Sequence, residues 1–283
     1  MSCIAPTTLR GALDALAEDP DALVLAGGTD LMVEINMGHR RPVNVVAVSR
    51  VAELRSWLHD PVAGKVRLGA GVTYAEVLSE PLASLLPALA QAARTVGSPQ
   101  IRHAATVGGN VGTSSPAGDG LPALAALDAV VHLESAIASR DVPFAEFASG
   151  PKRTVRRPGE LITGFTVPLL RGWQGYAKVG VRNAMVIATA TCCVAVDEDR
   201  SNVRIALGSV GPVIIRATEA EEFAEANVDW TARSASADVV ARIGELAAAA
   251  ARPIDDHRST ADYRRHAIRV LAARLARRAF PDG

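Results

Sequence analysis

Ala104-Ala105-Thr106-Val107-Gly108-Gly109-Asn110-Val111-Gly112-Thr113-Ser114-Ser115-Pro116-Ala117-Gly118-Asp119 leads into the apolar run Leu121 to Leu127. Glycines, hydroxyls and one Asn fill the middle of this stretch, and bulky side chains are nearly absent. Gly has no Cβ to hold a ligand off and tolerates positive φ, so such a backbone can approach a ligand closely. Successive exposed N–H groups in a tight loop form a concavity suited to anions, phosphate above all. Local physics leaves two readings open, a phosphate cradle or an ordinary turn-rich connection. Asp119 stands where a helix over Leu121–Leu127 begins. Its carboxylate either caps that helix or accepts hydrogen bonds from a ribose or base.

Upstream, a strand over Ala22–Ala26 runs into a second small-residue loop, Gly27-Gly28-Thr29-Asp30-Leu31. Neither loop is a G-x-G-x-x-G fingerprint or a G-x-x-x-x-G-K-[ST] loop, so no Rossmann or P-loop assignment follows. Two such loops in one chain are stronger evidence than either alone, since a diphosphate has two groups to hold.

Around these loops, Thr7 or Thr8 caps a helix carrying Leu9, Leu13 and Leu16, closed by Pro20. Strands are expected over Val43–Val48 and Lys65–Ala70, with Trp57 in the connection. Thr73-Tyr74-Ala75-Glu76 fits a capping box, and Leu82 to Thr95 reads as a helix with Pro87 near its first turn. Ala129–Leu133 and Ala136–Arg140 form a plausible hairpin about Glu134-Ser135. Lys152-Arg153-Thr154-Val155-Arg156-Arg157-Pro158 is a basic loop, either a solvated surface or a contact for an acidic partner.

From Leu161 the texture changes. Leu161–Val167, Gly175–Gly180, Thr191–Val196 and Val203–Val210 read as four successive strands. Helices follow over Ala217–Ala226, opened by Thr218-x-x-Glu221, then Ala237–Ala251 and Thr260 to Phe280. Strands and helices in blocks imply an α+β unit, with the seam near Arg171-Gly172. The expected domains are therefore 1–171 and 172–283.

Composition narrows the function. At 283 residues the chain can bury a sizeable core. Lys plus Arg and Asp plus Glu balance at 30 each, so no global field argues for nucleic acid or an anionic membrane. No apolar run approaches the roughly 20 residues of a membrane-spanning helix, and the start lacks the pattern of a secretion signal. The expected compartment is the cytoplasm. Three cysteines match no zinc spacing and fall short of the four thiolates of an iron–sulfur cluster. Cys192 and Cys193 read as buried in a strand.

Taken together, Leu25-Ala26-Gly27-Gly28-Thr29-Asp30-Leu31, Leu68-Gly69-Ala70-Gly71-Val72-Thr73, Ile101 to Asn110, Ser115-Pro116-Ala117-Gly118-Asp119, Gly159 to Thr163, Tyr176 to Arg182 and Arg258 to Arg265 resemble one family along nearly the whole chain. It is the FAD-binding medium subunit of the molybdenum hydroxylases, the xanthine dehydrogenase and aerobic carbon monoxide dehydrogenase type. The resemblance implies a two-part FAD-binding domain of the vanillyl-alcohol oxidase (PCMH) type, followed by a smaller α+β domain with an antiparallel sheet and helices. It implies that Gly27, Gly28 and Thr29 hold the FAD diphosphate from one side, with Leu25, Ala26, Asp30 and Leu31 completing that loop. Thr106, Gly109 and Asn110 hold it from the other side, and Asp119 contacts the adenosine part. Ile162 packs against the isoalloxazine ring, and Lys178 lies near the flavin's polar edge. No catalytic residue and no metal ligand are assigned to this chain.

By the same resemblance the chain is one subunit of three. An iron–sulfur small subunit carries two [2Fe–2S] clusters, a large subunit carries molybdopterin, and the flavin subunit collects electrons for an external acceptor. The basic loop and the arginines of the last helix (Arg264, Arg265, Arg269, Arg274, Arg277 and Arg278) are candidate docking groups. Two departures stand out: His103 where relatives often have Asn, and Val186 where they commonly carry Asp. The cysteine-bearing insertion of the benzoyl-CoA reductase branch is absent. Two other classes remain, a free-standing FAD-dependent oxidoreductase and a scaffold subunit that has lost FAD, because fold analogy alone does not fix function.

Overall fold

The computed structural model describes residues 2–282, and three hydrophobic cores organise it. The smallest lies between α1 (Leu9–Glu18) and a parallel sheet of β1 (Ser2–Ile4), β2 (Leu23–Leu25) and β3 (Asn44–Ala47), in spatial order β1-β3-β2. α1 starts where expected, the Thr8 hydroxyl accepting from the Gly11 N–H at 3.1 Å. Ala12, Leu13, Ala15 and Leu16 bury one face of it, at the spacing of a helical stripe. β2 is an edge strand, and the chain leaves it through Ala26–Asp30 into α2 (Leu31–Asn36).

The second core sits under an antiparallel sheet of β4 (Trp57–Asp60), β5 (Lys65–Gly69), β6 (Val130–Glu134), β7 (Ser139–Pro143) and β10 (Leu161–Pro168), in the order β4-β5-β10-β6-β7. Seven short helices accompany it: α3 (Tyr74–Val77), α4 (Leu82–Leu85), α5 (Pro87–Thr95), α6 (Pro99–Ala104), α7 (Val107–Thr113), α8 (Gly120–Ala126) and α9 (Phe144–Phe147). A two-stranded ribbon, β8 (Ala148–Gly150) and β9 (Arg153–Thr154), carries the basic segment. Four expectations shift. Trp57 opens a strand instead of lying in a connection. The helix expected over Leu82–Thr95 is two helices, because the residue before a proline is pushed out of the α region and Leu86 sits at ψ 63. The hairpin turns at Ser135–Ala138, where the Ser135 N–H donates to the Ala138 carbonyl, so its second strand starts at Ser139. The strand beginning at Leu161 is β10, which pairs with β5 and β6 and not with the strands that follow it.

The third core is α+β as expected: β11 (Gln174–Val179), β12 (Ala190–Asp197), β13 (Asn202–Gly208) and β14 (Ile215–Arg216) form an antiparallel sheet in sequence order. α10 (Thr218–Asn227), α11 (Ala237–Ala250) and α12 (Ala261–Ala279) pack with it. The expected capping role of Thr218 and Glu221 is not met: Ala217 is the cap residue, and Glu221 binds Arg216 and the Ile205 N–H. Side chains alternate across a strand, and β12 uses both faces. Cys193 and Ala195 join the second core, Cys192 and Val194 the third. Burial pushes both thiols up, so they stay protonated packing groups.

Candidate functional site

The two glycine loops meet across a cleft of about 590 Å³, within the usual range for organic ligands. Gly27 brings them together. A Cβ built there would lie 1.7 Å from the Ala104 carbonyl oxygen, so only glycine lets these backbones touch. Gly108 does the same against Ala70, its Cβ position falling 2.6 Å from the Ala70 carbonyl oxygen.

The loops are unequal in what they offer. In the downstream stretch the structure replaces the expected open loop with a helix, α7, capped by Thr106. Its first four N–H groups are all engaged: Val107 donates to the Val72 carbonyl at 2.9 Å, Gly108 to that of Ala70 at 2.8 Å, and Asn110 to that of Thr106 at 3.0 Å. Gly109 donates to the Thr106 hydroxyl at 2.9 Å. This side therefore presents the Gly109 and Gly112 surface and the Asn110 amide to the cleft, not backbone donors. The upstream loop is the reverse. Among the described residues, none accepts from the backbone N–H of Gly27, Gly28, Thr29 or Asp30. Gly28 is at φ +74, the left-handed conformation that turns successive N–H groups toward one point. Gly27, Gly28 and Thr29 are half-buried and Asp30 is exposed. Half-buried backbone donors without acceptors are uncommon in a folded chain, and an anionic ligand is the natural acceptor for a row of them.

Of the residues singled out in the sequence, Ala26, Gly27, Gly28, Thr29, Asp30, Leu31, Thr106, Gly109, Asn110, Asp119 and Ile162 line the cleft. Leu25 and Lys178 lie outside its lining. Leu25 holds β3 in place, its carbonyl accepting from the Val48 N–H at 2.9 Å. Ile162 is placed by an irregularity in β10 at Ile162/Gly164 and stands 3.5 Å from where a Gly112 Cβ would be. The missing Cβ widens the slot beside an apolar wall.

Asp119 precedes α8 but makes no capping bond. Instead Oδ1 accepts from the Tyr176 hydroxyl at 2.9 Å and Oδ2 from Lys178 Nζ at 2.8 Å. Lys178 also donates to the Thr95 carbonyl at 3.2 Å. Burial raises the Asp119 carboxyl above its ordinary range, against the pull of Lys178 and the Tyr176 hydroxyl. Asp119 and Lys178 therefore stand together, the carboxylate in the cleft lining and the lysine behind it.

Arg40, Lys152 and Arg156 stand in the lining with Glu34, which pairs with Arg40 and Lys152. The Lys152 hydrogen bond first, then both cations, hold Glu34 below the ordinary carboxylate range. The basic segment thus turns partly into the cleft. Sequence reasoning missed Leu23, Val24, Tyr74, Val96, Met185 and Ile187, which also line it. They share no motif, and only the folding of β2, α3 and the segment after β11 gathers them. Val186 is there as an apolar group, while His103 is exposed and outside the lining.

The arrangement defines a dinucleotide-type site: a backbone donor row, a polar cluster at one end and an apolar slot. Comparison with known proteins agrees. Residues 1–170 match the model of the FAD binding domain in molybdopterin dehydrogenase, and residues 176–279 match the CO dehydrogenase flavoprotein C-terminal domain. The glyceraldehyde dehydrogenase medium chain of Sulfolobus acidocaldarius is 31% identical over 274 residues, covering 95% of both chains. The xanthine dehydrogenase FAD-binding subunit of Escherichia coli O157:H7 is 28% identical over 275 residues, covering 95% of this chain and 92% of its own. The solved carbon monoxide dehydrogenase of Hydrogenophaga pseudoflava superposes at a TM-score of 0.88 with 27% identity, over 99% of this chain and 96% of that one. The chain belongs to the FAD-binding medium subunits of the molybdenum hydroxylases, a family of oxidoreductase flavoproteins. Among the described residues, no helix is long and apolar enough to cross a membrane.

Proposed function

We propose that this chain binds FAD in the cleft and relays electrons within a cytoplasmic assembly, drawing them from [2Fe–2S] clusters on a small subunit served by a molybdopterin large subunit. The idle N–H row of Gly27–Asp30 is the observation that carries the binding reading. In it Gly27, Gly28 and Thr29 donate to the diphosphate, with Leu25, Ala26, Asp30 and Leu31 shaping the turn. Thr106 caps and fixes α7, Gly109 clears the approach, and Asn110 offers its amide N–H₂ from the other side. Ile162 and Gly112 form the wall of the ring slot. Asp119, held by Tyr176 and Lys178, accepts from sugar or base donors at the polar end. Bound FAD supplies the two-electron redox chemistry that can collect single electrons and pass a pair to an acceptor. The protein supplies position and electrostatics: donors aimed at the anion, an apolar slot that excludes water, and a carboxylate whose lysine neighbour balances its charge.

The medium-subunit character of the relatives and the third, α+β core support the assembly. Purified apoprotein incubated with excess FAD and then desalted should keep about one flavin per chain, read from its visible absorbance. A sample that returns colourless sinks the proposal. Rapid flavin reduction by an organic substrate with no partner present would favour the free-standing flavoenzyme.

A further inference from the structure

Tyr74 is fully enclosed, 1% exposed, and its hydroxyl donates to Asn110 Oδ1 at 2.7 Å. The hydroxyl reaches there only because residue 120 is glycine: a Cβ on Gly120 would lie 2.2 Å from the Tyr74 oxygen. On the other side of the amide, Asn110 Nδ2 lies 2.8 Å from the Cβ position of Gly118, over the cleft lining. Among the described residues Nδ2 has no hydrogen-bond partner. An Asn amide presents either a donor or an acceptor, depending on which way it is turned. A phosphate oxygen only accepts, so one orientation attracts it and the other repels it.

We propose that Tyr74 is a positioning residue that locks the Asn110 amide with its N–H₂ toward the FAD diphosphate, an inference that rests on the FAD reading above. With Oδ1 taken by the tyrosine, Nδ2 is left to face the ligand. The Tyr74 oxygen could also accept, but turning the amide over would leave the enclosed Tyr74 O–H without its one acceptor among the described residues, Asn110 Oδ1, and would set Oδ1 against phosphate. Burial, with the Asp119 charge adding to it, raises the Tyr74 hydroxyl and keeps it protonated, so the lock does not open within the working pH range. Neither residue need touch the other loop for this to operate. Thr73 and Glu76 set α3 by a reciprocal cap, and Tyr74 is the first residue of that helix.

The test is a double-mutant cycle on FAD affinity, measured by flavin fluorescence with the apoprotein. Tyr74→Phe keeps the ring and its packing but removes the donor. It should weaken FAD about tenfold, the scale of one oriented hydrogen bond. On an Asn110→Ala background the same change should add almost nothing, because the group it orients is gone. Phosphorus NMR of bound FAD should show a diphosphate resonance moved by Tyr74→Phe. Unchanged affinity in Tyr74→Phe, a full tenfold loss on the Asn110→Ala background, or unmoved phosphorus resonances would each overturn the lock. A wild-type chain that takes up no FAD removes the site reading and this inference with it, whereas wild-type uptake matched by Tyr74→Phe overturns the inference alone.

Discussion

At the scale of single residues, the glycines of the two loops do different jobs, and substitution separates them. Gly27→Ala drives a methyl into the Ala104 carbonyl, a backbone collision that only movement of a loop relieves. Overpacking of this kind costs about 2 kcal/mol, so the variant should lose FAD and also unfold at lower urea. Gly109 is another matter. Its Cβ position meets only the Thr106 hydroxyl at 3.0 Å and Ala26 Cβ at 3.7 Å. Its φ is also not in the left-handed region, contrary to what a glycine-rich loop suggests. Gly109→Val should therefore leave the urea midpoint nearly in place while flavin content falls at least tenfold. Equal flavin content in Gly109→Val and wild type would show that this surface does not meet the cofactor.

At the scale of elements, the turn before α12 is organised by one carboxylate. Asp256 Oδ1 accepts from the N–H groups of Arg258 at 2.8 Å and Ser259 at 3.1 Å and from Arg264 Nη2 at 2.7 Å. Arg264 in turn donates to the carbonyls of Thr189 and Ser209 at 2.8 Å each, tying α12 to the ends of β12 and β13. Although partial burial pushes Asp256 up, these donors outweigh it and hold its pKa at about 2, below the unfolded 3.8. A depressed carboxylate contributes stability that is full above the unfolded value and is lost as pH falls through the folded one. Asp256→Asn should thus be about 2 kcal/mol less stable than wild type at pH 7, as expected for bonds to a charged group. That gap should close between 3.8 and about 2, which urea midpoints at pH 7, 4 and 2.5 would show. A gap that does not change with pH would mean that the charge is irrelevant. The element scale is also where the sequence read best and worst. Thr8 and Thr73 announce their helices because a cap is a local bond. α7 was read as a loop because what makes it a helix is distant: the carbonyls of Ala70 and Val72, which receive its first N–H groups. The contact of Lys178 with Asp119 spans 59 residues, and no spacing rule reaches that far.

At the scale of the whole molecule, the charged groups suggested for docking sort themselves by burial. Arg264 is buried and internal, whereas Arg265, Arg269, Arg274, Arg277 and Arg278 are exposed along α12. Met185 and Ile187, at 56% and 52% exposure, stand in the cleft lining, and Val181, at 72%, is exposed earlier in the same segment. Apolar side chains held out in solvent next to a redox site suit contact with another chain. Co-expression with an adjacent iron–sulfur and a molybdopterin subunit should yield one co-eluting species on size exclusion. Separate elution of all three at micromolar concentration would argue that the chain works alone. The twofold division of the first 170 residues was visible only as two glycine loops. The pairing of β10 with β5, which sets Gly164 opposite Gly69, follows from the sheet and not from any local signal.

The inequality of the two loops has a kinetic side. Amide protons of Val107–Asn110 are shielded whether or not a cofactor is present, since carbonyls and a hydroxyl of the chain itself hold them. Those of Gly27–Asp30 have no such shield among the described residues. Deuterium uptake by the apoprotein should be fast over 27–30 and slow over 107–110, and FAD should slow the first alone. Loading would then proceed by seating the dinucleotide on a finished half and freezing the other around it. Release of the flavin would be timed by the breathing of a single four-residue turn.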